Sequence, residues 1–321
     1  GSSLTNQNLP TPMKAKKEYK PVDLAKIKTY SISERKTKAA IDHFAKTSKK
    51  GTTFKQFYDS LPNFLGAKNL KRVVEAIVSA NKNNRPVILG MGAHVIKVGL
   101  SPIIIDMLEK GIIDCLVLNG AGAIHDFEVA TQGRTSEDVE VGLKSGMFGM
   151  VTETLQTLNQ IDDKFGLGRA VGNKILELKA SKEKLSLLAT AAKLNIPATV
   201  QVAFGTDTIH MSPDFKPEII GAATHNDFKL LCSVIADLEG GVYINLGSAV
   251  ILPEVFLKAL TVARNLGNRV ENFTTVNMDM LQHYRPHQNV LKRPGGASYA
   301  LTGHHEIMLP LLYQALLDYS S

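Results

Sequence analysis

Residues Asp114–Ala130, DCLVLNGAGAIHDFEVA, change character twice in a short span. Four apolar residues, Cys115 to Leu118, read as a buried strand. Gly120-Ala121-Gly122-Ala123 follow, and then the ionisable group His125, Asp126 and Glu128. An imidazole titrates near neutral pH, and a neighbouring carboxylate can orient it, so His125 is the candidate general base. Glycines let the main chain approach a phosphate or a ring, and a carboxylate accepts hydrogen bonds from sugar hydroxyls. A tight turn after any strand also uses glycine, so one such tip decides little.

Four further apolar runs end in the same way. Gly90-Met91-Gly92-Ala93-His94, Gly205-Thr206-Asp207, Asn245-Leu246-Gly247-Ser248 and Asn277-Met278-Asp279 each follow one. In open parallel sheets, ligands lie beyond the carboxyl ends of the strands. Several small-residue tips in one sheet therefore predict a dinucleotide-sized site. Its candidate contacts are Gly92, Ala93, His94, Asn119, Ala121, Gly122, Asp126, Asp207, Gly247 and Ser248. The usual dinucleotide fingerprint is incomplete, because GMGAHV carries Val95 where the third glycine belongs.

The elements that must position these tips are strands of about five residues alternating with helices: PVILG, CLVLNG, PATVQV, GVYINLG and VENFTTVNMD. That rhythm predicts an α/β, doubly wound, mostly parallel sheet, Rossmann-like, covered on both faces. VENFTTVNMD is read as the last strand, and HHEIMLPLLYQALLDY as the last helix. Residues 23–80 read as an N-terminal helical extension. Ser31 and Glu34 are spaced as a capping pair at the start of SISERKTKAAIDHF. Phe54, Phe57, Tyr58 and Leu61 make a core-facing stripe, and KNLKRVVEAIVSANKNN is amphipathic. The expected division is a disordered basic arm at 1–22, the extension at 23–80, and a catalytic domain at 81–321.

The chain carries 37 Lys/Arg and 30 Asp/Glu, a net charge of +7. Residues 1–50 hold 12 basic and 4 acidic side chains, so the excess sits in the arm and the remainder is nearly neutral. Nucleic-acid binding would need basic residues on a folded face, which this pattern does not offer. An arm that is solvated or packs on a neighbouring subunit fits better. No apolar run approaches the roughly 18 residues that span a bilayer. Two cysteines in apolar segments, Cys115 and Cys232, read as buried thiols in a reducing cytoplasm. His283 and His287 have metal spacing on a helix, but Pro286 between them disfavours that helix, and no metal is expected.

The segment VILGMGAHVIKVGLSPIIIDMLEKGIIDCLVLNGAGAIHDFEVA resembles a strand, helix and acid-bearing strand tip of the deoxyhypusine synthase family. NIPATVQVAFGTDT resembles that family's strand ending in Thr-Asp-Gly. DFKLLCSVIADLEGGVYINLGSAVILPEVFLKALTVARNLG resembles its helix and glycine-rich tip. The likeness runs from about Val87 to Leu312. It implies an NAD-binding fold, a homotetramer, and transfer of an amine-derived group through an imine on an enzyme lysine. Ala93 and His94 fall at cofactor-contacting positions. Ala121 and Gly122 match the Ala-Gly tip, and Asp126 its second acid. Asp207 matches the Asp of Thr-Asp-Gly.

The amine side departs from the family. Pro253 stands near the place of its polyamine histidine, and its acidic segment has no counterpart. The chain has no tryptophan for the Trp-Gly-Lys motif that holds the catalytic lysine. The closest lysine, Lys292, is about two residues out of register, and Arg293 beside it would lower its proton affinity. HYRPHQNVLKR is cationic and suits an anionic substrate group such as a carboxylate. The expectation is an NAD-dependent transferase or oxidoreductase, with His125 or Lys292 catalytic, acting on a small amine or amino-acid-like substrate. True deoxyhypusine synthase activity and a non-catalytic nucleotide-binding module stay open.

Overall fold

The computed structural model describes residues 17–137 and 163–320, with isolated positions between 140 and 161. Most of the expected helix in SEDVEVGLKSGMFGMVTETLQTLNQ, and residues 1–16 of the arm, lie outside the described residues. The chain divides into a unit of residues 1–42 and a unit of residues 43–321.

In the first unit the described residues are all exposed, and their regular structure is two three-residue turns, Leu24–Lys26 and Ile32–Glu34. Ser31 does cap, accepting a bond from Ser33 N at 3.2 Å. The helix expected from Ser31 onward stops after that turn. A short helix in water needs an apolar face buried against something, and no described residue of this unit is buried.

The second unit begins with α1 (Phe54–Ser60) and α2 (Leu65–Lys82). Thr53 starts α1 with a reciprocal capping pair to Gln56, and Tyr58 alone of the expected stripe is fully buried. Then follow β1 (Val87–Met91), α3 (His94–Lys97), α4 (Ser101–Glu109), β2 (Cys115–Asn119) and α5 (Gly120–Gln132). After them come α6 (Leu167–Glu177), α7 (Leu187–Leu194), β3 (Ala198–Gln201), α8 (Pro217–Ala236) and β4 (Val242–Leu246). The chain ends with α9 (Ile251–Asn265), β5 (Thr274–Asp279), β6 (Ala297–Thr302) and α10 (His305–Tyr319). A turn at Tyr284–Pro286 running into a π-helical stretch at His287–Lys292 joins β5 to β6.

The six strands form one parallel sheet in the order β3-β2-β1-β4-β5-β6. The order reverses between β1 and β4, which is the switch point where a doubly wound sheet opens a crevice. On one face, Leu89, Met91, Leu116, Leu118, Val200, Ile244, Leu246 and Met278 join a core with α2, α4, α7 and α10. On the other, Ile88, Cys115, Val117 and Tyr243 pack under α8 and α9. Both cysteines are free and buried. Among the described residues no helix is long and apolar enough to cross a membrane, and no cluster of three His, Cys, Asp or Glu could hold a metal ion. β6 lies outside the sequence expectation because it is an edge strand with only Leu301 fully buried.

Candidate active site

The register aligns Val200, Leu118, Met91, Leu246, Met278 and Leu301 in one row across the sheet. One residue further on, the row is Gln201, Asn119, Gly92, Gly247, Asp279 and Thr302. At about 4.8 Å per strand, this edge is roughly 24 Å long. Its side chains share a face with the row two residues back, which contains Thr199, Gly90, Asn245 and Asn277. The apolar face stays apolar to its end, whereas the other becomes polar or glycine in its last two rows except at Val117 and Ala300. The sequence shows this as polar residues at alternate positions of otherwise apolar strands, in VYINLG and TTVNMD. That alternation is the signal that marks the polar end of this face.

At the switch point the backbones of β1 and β4 close together. Gly92 N donates to Leu246 O at 2.9 Å, and a Cβ on Gly92 would lie 2.4 Å from Gly247 O. Gly247 has φ +71°, and a Cβ there would meet His305 Nε2 at 2.5 Å. Both positions therefore require glycine, because the Gly247 carbonyl and the His305 ring fill the space that a Cβ would need. Ser248 is buried, its Oγ accepts from Leu252 N at 3.2 Å, and its carbonyl accepts from Asn245 Nδ2 at 2.8 Å. Asn245 Nδ2 also donates to Asn277 Oδ1, Asn277 Nδ2 to Gln282 Oε1, and Gln282 Nε2 to Thr302 Oγ1. This amide ladder fixes the tips of β4, β5 and β6 together. Ala93 and exposed His94 open α3, and the His94 ring stands 6.0 Å from that of His305. Burial lowers the proton affinity of His305, partly opposed by Asp279 at 3.8 Å.

Beyond β2 the chain does not loop, as the glycines suggested. It enters α5 at Gly120, and Asn119 caps the helix by accepting from Gly122 N at 2.9 Å. Ala121 and Gly122 form its first turn. On a helix, residues three apart share a face, so His125 and Glu128 point together. His125 Nδ1 lies 2.6 Å from Thr135 Oγ1 and 3.4 Å from Glu128 Oε2, and Thr135 in turn donates to Glu128. Since the Thr135 proton goes to Glu128, its oxygen accepts from Nδ1–H, which leaves Nε2 of His125 as the free basic nitrogen. Burial pushes the Glu128 carboxyl up, but bonds to His125 and Thr135 outweigh it and hold it below the ordinary range. Thr135 gave no sequence signal, because seven residues and a helix end separate it from Glu128. Beside this group, Asp207 Oδ2 presses on Gly120, where a Cβ would come within 2.2 Å. Burial raises the Asp207 carboxyl, against the pull of His210 and His125.

Two expected site residues lie elsewhere. Asp126 is completely buried on another side of α5, where it accepts from Ser186 Oγ at 2.6 Å, Leu187 N at 2.7 Å and Leu188 N at 3.1 Å. It anchors the first turn of α7 and offers nothing to a sugar. Lys292 is exposed at the end of the β5–β6 crossover, five residues before β6 begins. Its neighbours Asn289 and Arg293 are linked to Glu254 in the first turn of α9, Asn289 directly and Arg293 through Asn289.

No protein-family model matches the chain, and no curated protein matches it. Among solved structures, unliganded AgrE is similar with a TM-score of 0.54 at 16% identity, over 78% of this chain and 33% of that one. The ternary complex of AgrE with ornithine and NAD+ is similar with a TM-score of 0.50 at 18% identity, over the same shares. A candidate deoxyhypusine synthase from Entamoeba histolytica matches 85% of this chain and 95% of its own at 13% identity, with a TM-score of 0.49. The chain spans about a third of the length of AgrE. The likeness is one of fold, the doubly wound parallel sheet that the family resemblance implies.

Proposed function

We propose that the protein is an NAD-dependent enzyme acting on an amino-acid-like substrate at the carboxyl edge of its sheet. The observation that carries this reading is the pair Gly92 and Gly247 at the switch point between β1 and β4, where both strand tips present bare main chain. Those glycines, with Ala93, His94 and the main chain at Ser248, would hold the dinucleotide. NAD, when bound, supplies a hydride acceptor. His125 Nε2 takes the proton that the substrate's N–H or O–H gives up. Glu128 and Thr135 hold the ring and favour the positive charge it then carries. AgrE, which shares the fold, has been seen with ornithine and NAD+, in keeping with a substrate of this class. The homotetramer implied by the resemblance belongs to the same proposal.

Titration of the protein with NADH, followed by nicotinamide fluorescence, tests the cofactor. Mass spectrometry of co-purifying small molecules tests the substrate class. Saturable NADH uptake and a bound amino acid or its oxidised product are expected. A protein that takes up neither contradicts the proposal.

A further inference from the structure

The tip of β3 holds two polar groups that nothing in the proposed chemistry uses. His210 Nδ1 accepts from Gly205 N at 3.0 Å and from Asp207 N at 3.1 Å. A ring nitrogen that accepts two N–H bonds carries no proton, so the proton of the neutral ring sits on Nε2. That Nε2–H is buried and has no acceptor among the described residues. Asp207 Oδ2, in the same loop, is equally buried and has no donor among them. Phe204 and Phe215 wall the imidazole at ring distances of 5.6 and 5.0 Å. The groups acting on Asp207 are His125, His210 and Thr206.

A buried donor without an acceptor and a buried carboxylate oxygen without a donor are each unfavourable, and one ligand relieves both. We infer that Asp207 and His210 form a recognition pair for a zwitterionic α-amino acid, Asp207 Oδ2 taking its ammonium group and His210 Nε2–H its carboxylate. The inference rests on the reading of these tips as an active site. It assigns Asp207 to the substrate, where the family resemblance implies the cofactor. The partly exposed Phe204 borders the same loop and would meet the substrate's side chain.

L-norvaline, n-butylamine and pentanoate share one skeleton and differ only in the two charged groups, so they separate the contributions. Calorimetric titration of the full chain should show L-norvaline or L-ornithine binding at least about thirtyfold tighter than the amine or the acid alone. Asp207→Asn and His210→Phe should each remove that preference while NADH uptake is unchanged. Nitrogen NMR of the histidine side chains should show His210 as the Nε2–H tautomer, a readout that needs no variant to fold. Amino acids that bind no better than butylamine or pentanoate, unaltered binding by both variants, or an Nδ1–H tautomer would overturn the inference. Wild-type protein that shows this amino-acid preference yet ignores NADH would support the pair and contradict only the cofactor reading.

Discussion

The two halves of the sheet's carboxyl edge use polar side chains differently, although both keep buried atoms without partners among the described residues, Asn245 Oδ1 and His305 Nδ1 in one and Asp207 Oδ2 and His210 Nε2 in the other. From β4 to β6, the amides of Asn245, Asn277 and Gln282 are spent on one another and on Thr302, and the neighbouring space is set by main chain at Gly92 and Gly247. Beyond β2 and β3, Asp207 and His210 keep buried atoms without partners among the described residues, and His125 turns Nδ1 to Thr135. A ladder of linked amides is rigid and cannot easily be re-aimed, which suits a wall that receives a large cofactor. Unsatisfied groups are costly until a ligand arrives, which suits discrimination and chemistry. The difference separates a frame from a reactive patch within roughly 24 Å of edge.

The largest expected effect breaks the reactive half alone. His125→Ala should lower turnover by about 10²- to 10⁴-fold, with NADH affinity and thermal stability close to wild type; a variant that turns over normally removes His125 from the chemistry. The frame should respond in the other currency. Gly92→Ala drives a methyl into Gly247 O, so it should abolish NADH uptake and cost about 1–3 kcal/mol of stability. Denaturant melts that match wild type would show that the strands are not held as described.

A smaller effect sharpens the comparison by showing that not every buried acid near the tips is functional. Burial pushes Asp126 up to about 6, against the bonds from Ser186, Leu187 and Leu188. It pushes Asp227 up to about 7, against bonds from Val200, Gly168 and Leu167. Between 3.8, the ordinary value of both, and these raised values, the folded protein binds more protons than the unfolded chain. Their contribution to stability is complete below the lower value and is lost as the pH rises through about 6 and about 7. Asp227→Asn should therefore gain on wild type in Tm as the pH is raised across that window. Parallel melting profiles for the two proteins would refute the assignment. The smallest effect is on the β5–β6 crossover. Lys292→Ala should change stability by no more than about 0.5 kcal/mol and leave NADH uptake intact, whereas loss of turnover would restore an imine-forming role.

Much of this arrangement is written in the chain. Five strands were readable because Val87–Met91 and its counterparts are apolar runs that must be buried on both faces. The sixth escaped because Ala297–Thr302 is an edge strand with little burial to encode. Gly120-Ala121-Gly122 looked like a loop, since glycine disfavours helices, yet Asn119 caps a helix that starts at once and tertiary packing overrides propensity. The helix also decides where Asp126 points. Neighbours on a helix point about 100° apart, so His125 and Glu128 reach the tip while Asp126 turns inward to α7. Lys292 sits exposed on the β5–β6 crossover, whose course register against a motif does not give.

The central claim is that the switch point between β1 and β4 takes up a dinucleotide. Equilibrium titration with NADH, for the wild-type chain and for Gly247→Ala in parallel, tests it most directly. Saturable binding by the wild type and none by the variant is the expected result. Absence of binding by the wild type, or equal binding by both, would contradict it.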